Sequence, residues 1–92
     1  MVLIKAHIRI AGLVQGVFFR ATMCKKALDL GINGWVKNLP DGNVEALTEG
    51  EEEKISEIVK WCKIGPKNAH VKEVSVSYEP SNGEFTEFLM KF

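Results

Sequence analysis

Gly12-Leu13-Val14-Gln15-Gly16-Val17-Phe18-Phe19-Arg20 is the stretch of this chain best suited to chemistry. Two glycines stand between a strand-like run and a helix-like run, and an arginine follows. Glycine permits backbone paths closed to other residues and lets a ligand approach the main chain closely. The first amides of a helix have no carbonyl partner inside it, and the helix dipole adds partial positive charge there. A bend of free N–H groups with an arginine at its exit is therefore suited to phosphate. A glycine loop by itself is weak support, because glycines often only make turns. Neither Gly-x-Gly-x-x-Gly nor a Gly-Lys-Ser/Thr ending is present, which excludes the dinucleotide and nucleotide-triphosphatase readings.

The elements that must position this stretch follow from periodicity. Ile4, Ala6, Ile8 and Ile10 alternate with Lys5, His7 and Arg9, the period of a strand with one buried and one wet face. After the loop, Phe19, Met23, Ala27 and Leu30 recur at helical spacing, and Gly31 fits the position that stops a helix. A strand is expected over 33–38, a turn at Leu39-Pro40-Asp41-Gly42, and a strand over 44–49. Ile55, Ile58, Val59 and Cys62 form the clearest stripe. Glu51, Glu52 and Glu53 mark the start of that helix, Lys60 and Lys63 its end, and Gly65-Pro66 its termination. Strands over about 71–78 and 85–92 complete the chain, with a turn at Pro80-Ser81-Asn82-Gly83 between them.

The order β-α-β-β-α-β-β, with a charged face on the first strand, favours an α+β two-layer sandwich. In this ferredoxin-like, split β-α-β arrangement the sheet is mostly antiparallel and both helices lie on one face. Strands 1 and 2 then run parallel with strand 3 between them, so their C-terminal ends share one edge, two strand spacings or ~10 Å apart. Arg20 follows strand 1 and Asn38 ends strand 2. Side chains from both can converge on one small ligand.

Composition bounds the rest. Ninety-two residues fit a single domain over 1–92, and 46% hydrophobic with 26% charged residues is ordinary for a globular chain. Twelve basic residues balance twelve acidic ones, so no broad field draws the protein to nucleic acid or membrane. No apolar run approaches the ~20 residues that span a bilayer, and the alternating start is unlike a signal peptide. Cys24 and Cys62 are expected as buried, reduced thiols, and a cytoplasmic setting is the default. No Cys/His spacing suits a metal, so no metal or cofactor is expected. Trp35 and Phe19 are expected to fill the core, and His7 and His70 to be solvated. Whether Lys37 and Asp41 are more than strand and turn residues stays open.

At these residues the chain resembles the acylphosphatases. Gly12 to Arg20 matches every fixed position of that family's Gly-x-Val-Gln-Gly-Val-x-Phe-Arg segment. Gly34-Trp35-Val36-Lys37-Asn38, Gly42, Val44 and Gly50 satisfy its second signature, and Gly65-Pro66, Ala69 and Val71 resemble its approach to the fourth strand. Leu13 stands where a basic residue is frequent, and Phe92 rather than tyrosine closes the chain. The resemblance implies a metal-free, monomeric hydrolase that cleaves carboxyl-phosphate anhydrides to carboxylate and inorganic phosphate. It also implies that the amides of Gln15, Gly16, Val17 and Phe18, together with Phe19 and Arg20, hold the phosphate. Asn38 would position the attacking water.

The residue types agree with that chemistry. A guanidinium offers phosphate a planar fork of donors and stays charged. Asn38 cannot act as a base, but its amide can orient a water. A carboxylate leaving group, with a conjugate-acid pKa of about 4, departs without an acid to assist it, unlike a sugar alkoxide. Two rivals use the same fold: an RNA-binding module and a non-catalytic phosphate sensor. The basic-Gly-aromatic run of an RNA-recognition sheet is missing from strand 1.

Overall fold

The computed structural model describes residues 2–92. Its elements are β1 (Leu3–Leu13), α1 (Phe19–Leu30), β2 (Asn33–Asn38), β3 (Val44–Glu51), α2 (Glu52–Cys62), β4 (His70–Pro80) and β5 (Phe88–Lys91). The five strands form one sheet in the order β4-β1-β3-β2-β5. All neighbours are antiparallel except β2 and β5, which run parallel. This is the ferredoxin-like α+β sandwich expected from the sequence, with β3 between β1 and β2.

Alternation in the strands supplies one side of the core and the helical stripes supply the other. Ala6, Ile8 and Ile10 of β1, Val36 of β2, and Val44 and Ala46 of β3 are fully buried. They meet Phe19, Met23 and Ala27 of α1 and Ile55, Ile58, Val59 and Cys62 of α2. Thr48 is buried among them because its hydroxyl donates to the Ala6 carbonyl at 3.0 Å, which removes the cost of an unpaired polar group. Gly31 ends α1 in the left-handed conformation, its N–H bonded back to Leu28 O. Glu51 both closes β3 and stands at the N-cap of α2, whose first turn carries Glu52 and Glu53.

Three expectations about the outer face need correction. Trp35 is not a core residue: the alternation of β2 buries Gly34 and Val36, so Trp35 projects from the opposite face, between the ammonium groups of Lys37 and Lys91. Lys5 shares a face with exposed His7 and Arg9 yet is buried. The final strand begins at Phe88 instead of Phe85, because residues 81–87 form a strap that crosses the open face above Lys5. Buried Glu49 of β3 holds this strap, accepting from the Ser81 hydroxyl (2.7 Å) and the amides of Glu84 (3.2 Å) and Phe85 (2.9 Å). The strap continues to β2, where Gly34 N–H donates to Glu87 O at 2.8 Å, and so delivers β5 to the far edge of the sheet.

The two thiols differ. Cys62 is fully enclosed, whereas Cys24 is only partly buried; both are free. No helix among the described residues is long and apolar enough to cross a membrane.

Candidate active site

The loop of the first motif begins at a fault in the sheet. The register between β1 and β4 shifts between Ala11 and Gly12. Gly12 has φ of 133°, and a β-carbon there would lie 2.2 Å from the His70 carbonyl oxygen. Only glycine allows this close passage of two backbones, beyond which β1 stays paired with β4 as far as Leu13 but no longer with β3. Buried Val14 then fixes the near end of the loop. Phe19 fixes the far end, its ring centroid 5.1 Å from that of Trp61 on α2.

Between these anchors the backbone coils left-handed twice, at Gly16 (φ 74°) and at Phe18 (φ 63°), the residue that precedes α1. No carbonyl or side-chain oxygen among the described residues accepts from the amides of Gln15, Gly16, Val17, Phe18 or Phe19. A run of unpaired N–H groups leading into a helix N-terminus is an anion-binding concavity. Phe18 has no side-chain capping bond and its ring is 79% exposed. Its carbonyl accepts from the Thr22 amide (3.0 Å) and hydroxyl (2.8 Å), which hold a bulky residue in a left-handed conformation that is uncommon outside functional loops.

Gln15 has a second role that the motif does not reveal. Its side-chain amide donates to Leu39 O (2.7 Å) and Asn43 O (2.9 Å), the two carbonyls that close the β2–β3 turn. The loop is thereby fixed against the turn that follows Asn38. Asn38, the last residue of β2, is half-buried, and its side chain has no hydrogen bond to another described residue. Both its oxygen and its NH2 group are free for a ligand or water.

Arg20, in the first turn of α1, donates from Nη1 to the Lys91 carbonyl at 2.7 Å, and its guanidinium lies 5.1 Å from the Phe92 ring centre. One edge of the fork is held by the C-terminal segment and the remaining N–H groups stay available. A main-chain carbonyl 71 positions away carries no sequence signature, so periodicity and motif could not reveal this contact.

These parts surround one open cleft of about 300 Å³. Gly16, Phe18, Phe19, Arg20 and Asn38 line it, together with Val14, Ala21 and Met90. The structure therefore brings together the Gly16 and Phe18 segment, Arg20 and Asn38. The side chains of Gln15 and Val17 turn elsewhere, to the β2–β3 turn and to the core. Lys37 and Asp41 are outside the cleft. Lys37 pairs with Glu45 at 3.6 Å, and Asp41 caps its own turn through the Asn43 amide and pairs with Arg9. The Asn43 amide, with Arg9, holds the Asp41 carboxyl below its ordinary range. His7 bonds Glu45 on the open face at 2.7 Å, and His70 is exposed at the start of β4. Burial raises the Cys24 thiol pKa, opposed by the nearby Arg20 charge, so this neighbour of the cleft stays protonated at neutral pH. No carboxylate or imidazole among the described residues' side chains lines the cleft.

A two-layer sandwich with an amide-rich loop, an arginine and a neutral amide around one cleft defines a class of small phosphate-handling domains. Comparison with known proteins makes the class specific. The family model described as Acylphosphatase matches residues 6–90. The acylphosphatase of Aeropyrum pernix is 50% identical over 91 residues, covering 98% of this chain and 90% of that protein. That of Methylococcus capsulatus is 46% identical over 84 residues, 91% of each. The crystal structure of acylphosphatase from Bacillus subtilis superposes with a TM-score of 0.93 at 34% identity, covering 97% of this chain and 99% of that one. The chain belongs to the acylphosphatase family, whose members hydrolyse acyl phosphates.

Proposed function

We propose that this protein is an acylphosphate phosphohydrolase that works by backbone-amide and guanidinium binding of the phosphoryl group, with Asn38 holding the attacking water. The observation that carries this reading is the run of unpaired amides from Gln15 to Phe19, of which Gly16, Phe18 and Phe19 line the same cleft as Arg20 and Asn38. The amides and the free part of the Arg20 fork bind the non-bridging oxygens. These donors are fixed before substrate arrives, which is what stabilises charge spread over a phosphoryl group in transit. Water oriented by Asn38 attacks phosphorus in line as the bond to the acyl oxygen breaks, and the carboxylate departs unprotonated. A non-bridging phosphate oxygen of the substrate takes the water proton, since the cleft offers no carboxylate or imidazole. The products are a carboxylate and inorganic phosphate.

No step in this scheme uses a metal or another cofactor. A single-domain, monomeric, cytoplasmic enzyme without nucleic-acid or membrane partners fits the balanced charge and the two free thiols. Phosphate release from acetyl phosphate in the presence of EDTA tests the reading. Chelator-resistant turnover is expected, with kcat/KM flat from about pH 5 to 8 once the substrate's own titration is allowed for, because no protein group titrates in the mechanism. Phosphate binding without turnover would make the domain a sensor, and an inflection removed by one side-chain substitution would identify a protein base.

A further inference from the structure

Much of the lining of the cleft is apolar. Phe18, Ala21 and Met90 come from three different elements, the loop tip, the first turn of α1 and the edge strand β5, and all line the same opening as Arg20. Phe18 is 79% exposed and Met90 38% exposed, so each presents apolar surface to whatever occupies the cleft. Position 18 is not fixed by the Gly-x-Val-Gln-Gly-Val-x-Phe-Arg pattern, and Met90 lies outside both signatures. The phosphate cradle uses the Phe18 amide and leaves its ring without a role. Yet a large aromatic ring stands in solvent on a left-handed backbone, beside the donors that hold the phosphoryl group.

We infer that Phe18 and Met90 form an acyl-group subsite, which makes this enzyme selective for acyl phosphates with an aromatic or bulky apolar acyl part over those with a short one. The inference rests on the hydrolase reading above, since the phosphoryl group must sit in the amide cradle for the acyl group to reach this wall. With the phosphoryl group in the cradle, the acyl group would have to occupy the rest of the cleft, which Phe18 and Met90 line. An aromatic acyl group there covers the Phe18 ring and the Met90 thioether, both favourable partners for an aromatic face. A methyl group is too small to span them. The mechanism requires only a phosphate cradle and a water; the acyl wall adds specificity to it.

The test compares benzoyl phosphate with acetyl phosphate for the wild type, Phe18→Ala and Met90→Ala, taking the ratio of the two kcat/KM values within each protein. Comparing that ratio between variant and wild type cancels the intrinsic difference between the leaving groups. Each substitution is expected to lower the benzoyl-to-acetyl ratio by roughly 2- to 12-fold, the range that one aromatic contact supplies. Competitive inhibition by inorganic phosphate, which has no acyl part, reports on the cradle separately. Met90→Ala is the decisive variant, because it leaves the loop sequence intact. An unchanged ratio in both variants, or losses on both substrates matched by an equal weakening of phosphate inhibition, would overturn the subsite. Failure of the wild type to hydrolyse either compound would instead remove the hydrolase reading on which the subsite depends.

Discussion

Gln15→Met tests how the catalytic loop is held in register with Asn38. Methionine keeps the length and most of the volume of glutamine but donates nothing. Two hydrogen bonds are lost, at 2.7 Å to Leu39 O and 2.9 Å to Asn43 O. Each carbonyl keeps a second donor: Leu39 O accepts from Gly42 N–H, and Asn43 O from Leu39 N–H. Neither oxygen is orphaned, so the cost is the ordinary net value of two bonds, about 2 kcal/mol. In a domain of this size that corresponds to a fall in Tm of about 10 °C. The kinetic effect is larger than the stability suggests. The loop carries the phosphate amides and the turn follows Asn38, so loosening their link moves the phosphorus relative to the water. Displacement on the scale of 1 Å costs about 10²-fold in rate. Thermal unfolding and acetyl phosphate hydrolysis measure the two effects. The variant should show the loss in kcat more than in KM, and Gln15→Met with Asn38→Ala should cost less than the product of the single losses. A variant that melts lower but retains the wild-type kcat/KM, or strictly multiplicative losses, would refute the register argument.

Further outcomes follow from other contacts. Asn38→Ala should lose on the order of 10² or more in kcat/KM through release of the attacking water. Arg20→Ala should lose at least ~10²–10³ with near-native unfolding, as the removal of a principal oxyanion donor does. Arg20→Lys should not recover this, because an ammonium cannot bond the Lys91 carbonyl and phosphate with the same planar fork. At Glu49, burial pushes the carboxyl pKa up. The Phe85 and Glu84 amides, the Ser81 hydroxyl and the Lys5 ammonium outweigh that and hold it below the ordinary 4.5. Its contribution to stability is therefore complete above that value and lost as pH falls through the lower folded-state pKa. Urea unfolding should show Glu49→Gln weaker by about 1–2 kcal/mol at neutral pH, with a shallower acid decline than the wild type. Burial pushes the Cys62 thiol up to about 12, so a thiol reagent at pH 8 should leave it unmodified until the chain unfolds. Labelling of Cys62 at the rate of a free thiol in the native state would contradict the packing.

The sequence was most informative where periodicity acts over a whole element. The stripe Ile55, Ile58, Val59 and Cys62 is the buried face of α2, and Gly31 stops α1 as its position suggests. Loop, arginine and asparagine were legible as one site because the topology places two strand ends on one edge. The missed features belong to contacts without a local pattern. Trp35 was assigned to the core by residue type when strand parity assigns it to the outer face. Lys5 follows its strand's alternation, but a strap arriving from residues 81–87 covers it. The side-chain bonds of Gln15 and the carbonyl that receives Arg20 depend on tertiary placement of the main chain.

The path of the last strand has a consequence for refolding. β5 contributes four residues, pairs along one side only, and receives Arg20 from 71 positions upstream. The apolar interior can consolidate from β1, β3 and the two helices before this short ribbon is seated. In a Trp35→Phe background, emission from Trp61, whose ring is tilted against that of Phe19, follows the first event, whereas recovery of turnover requires the second. In a stopped-flow experiment the enzyme would thus act as its own clock for the arrival of its final segment, whose distant contacts are costly in chain entropy to close.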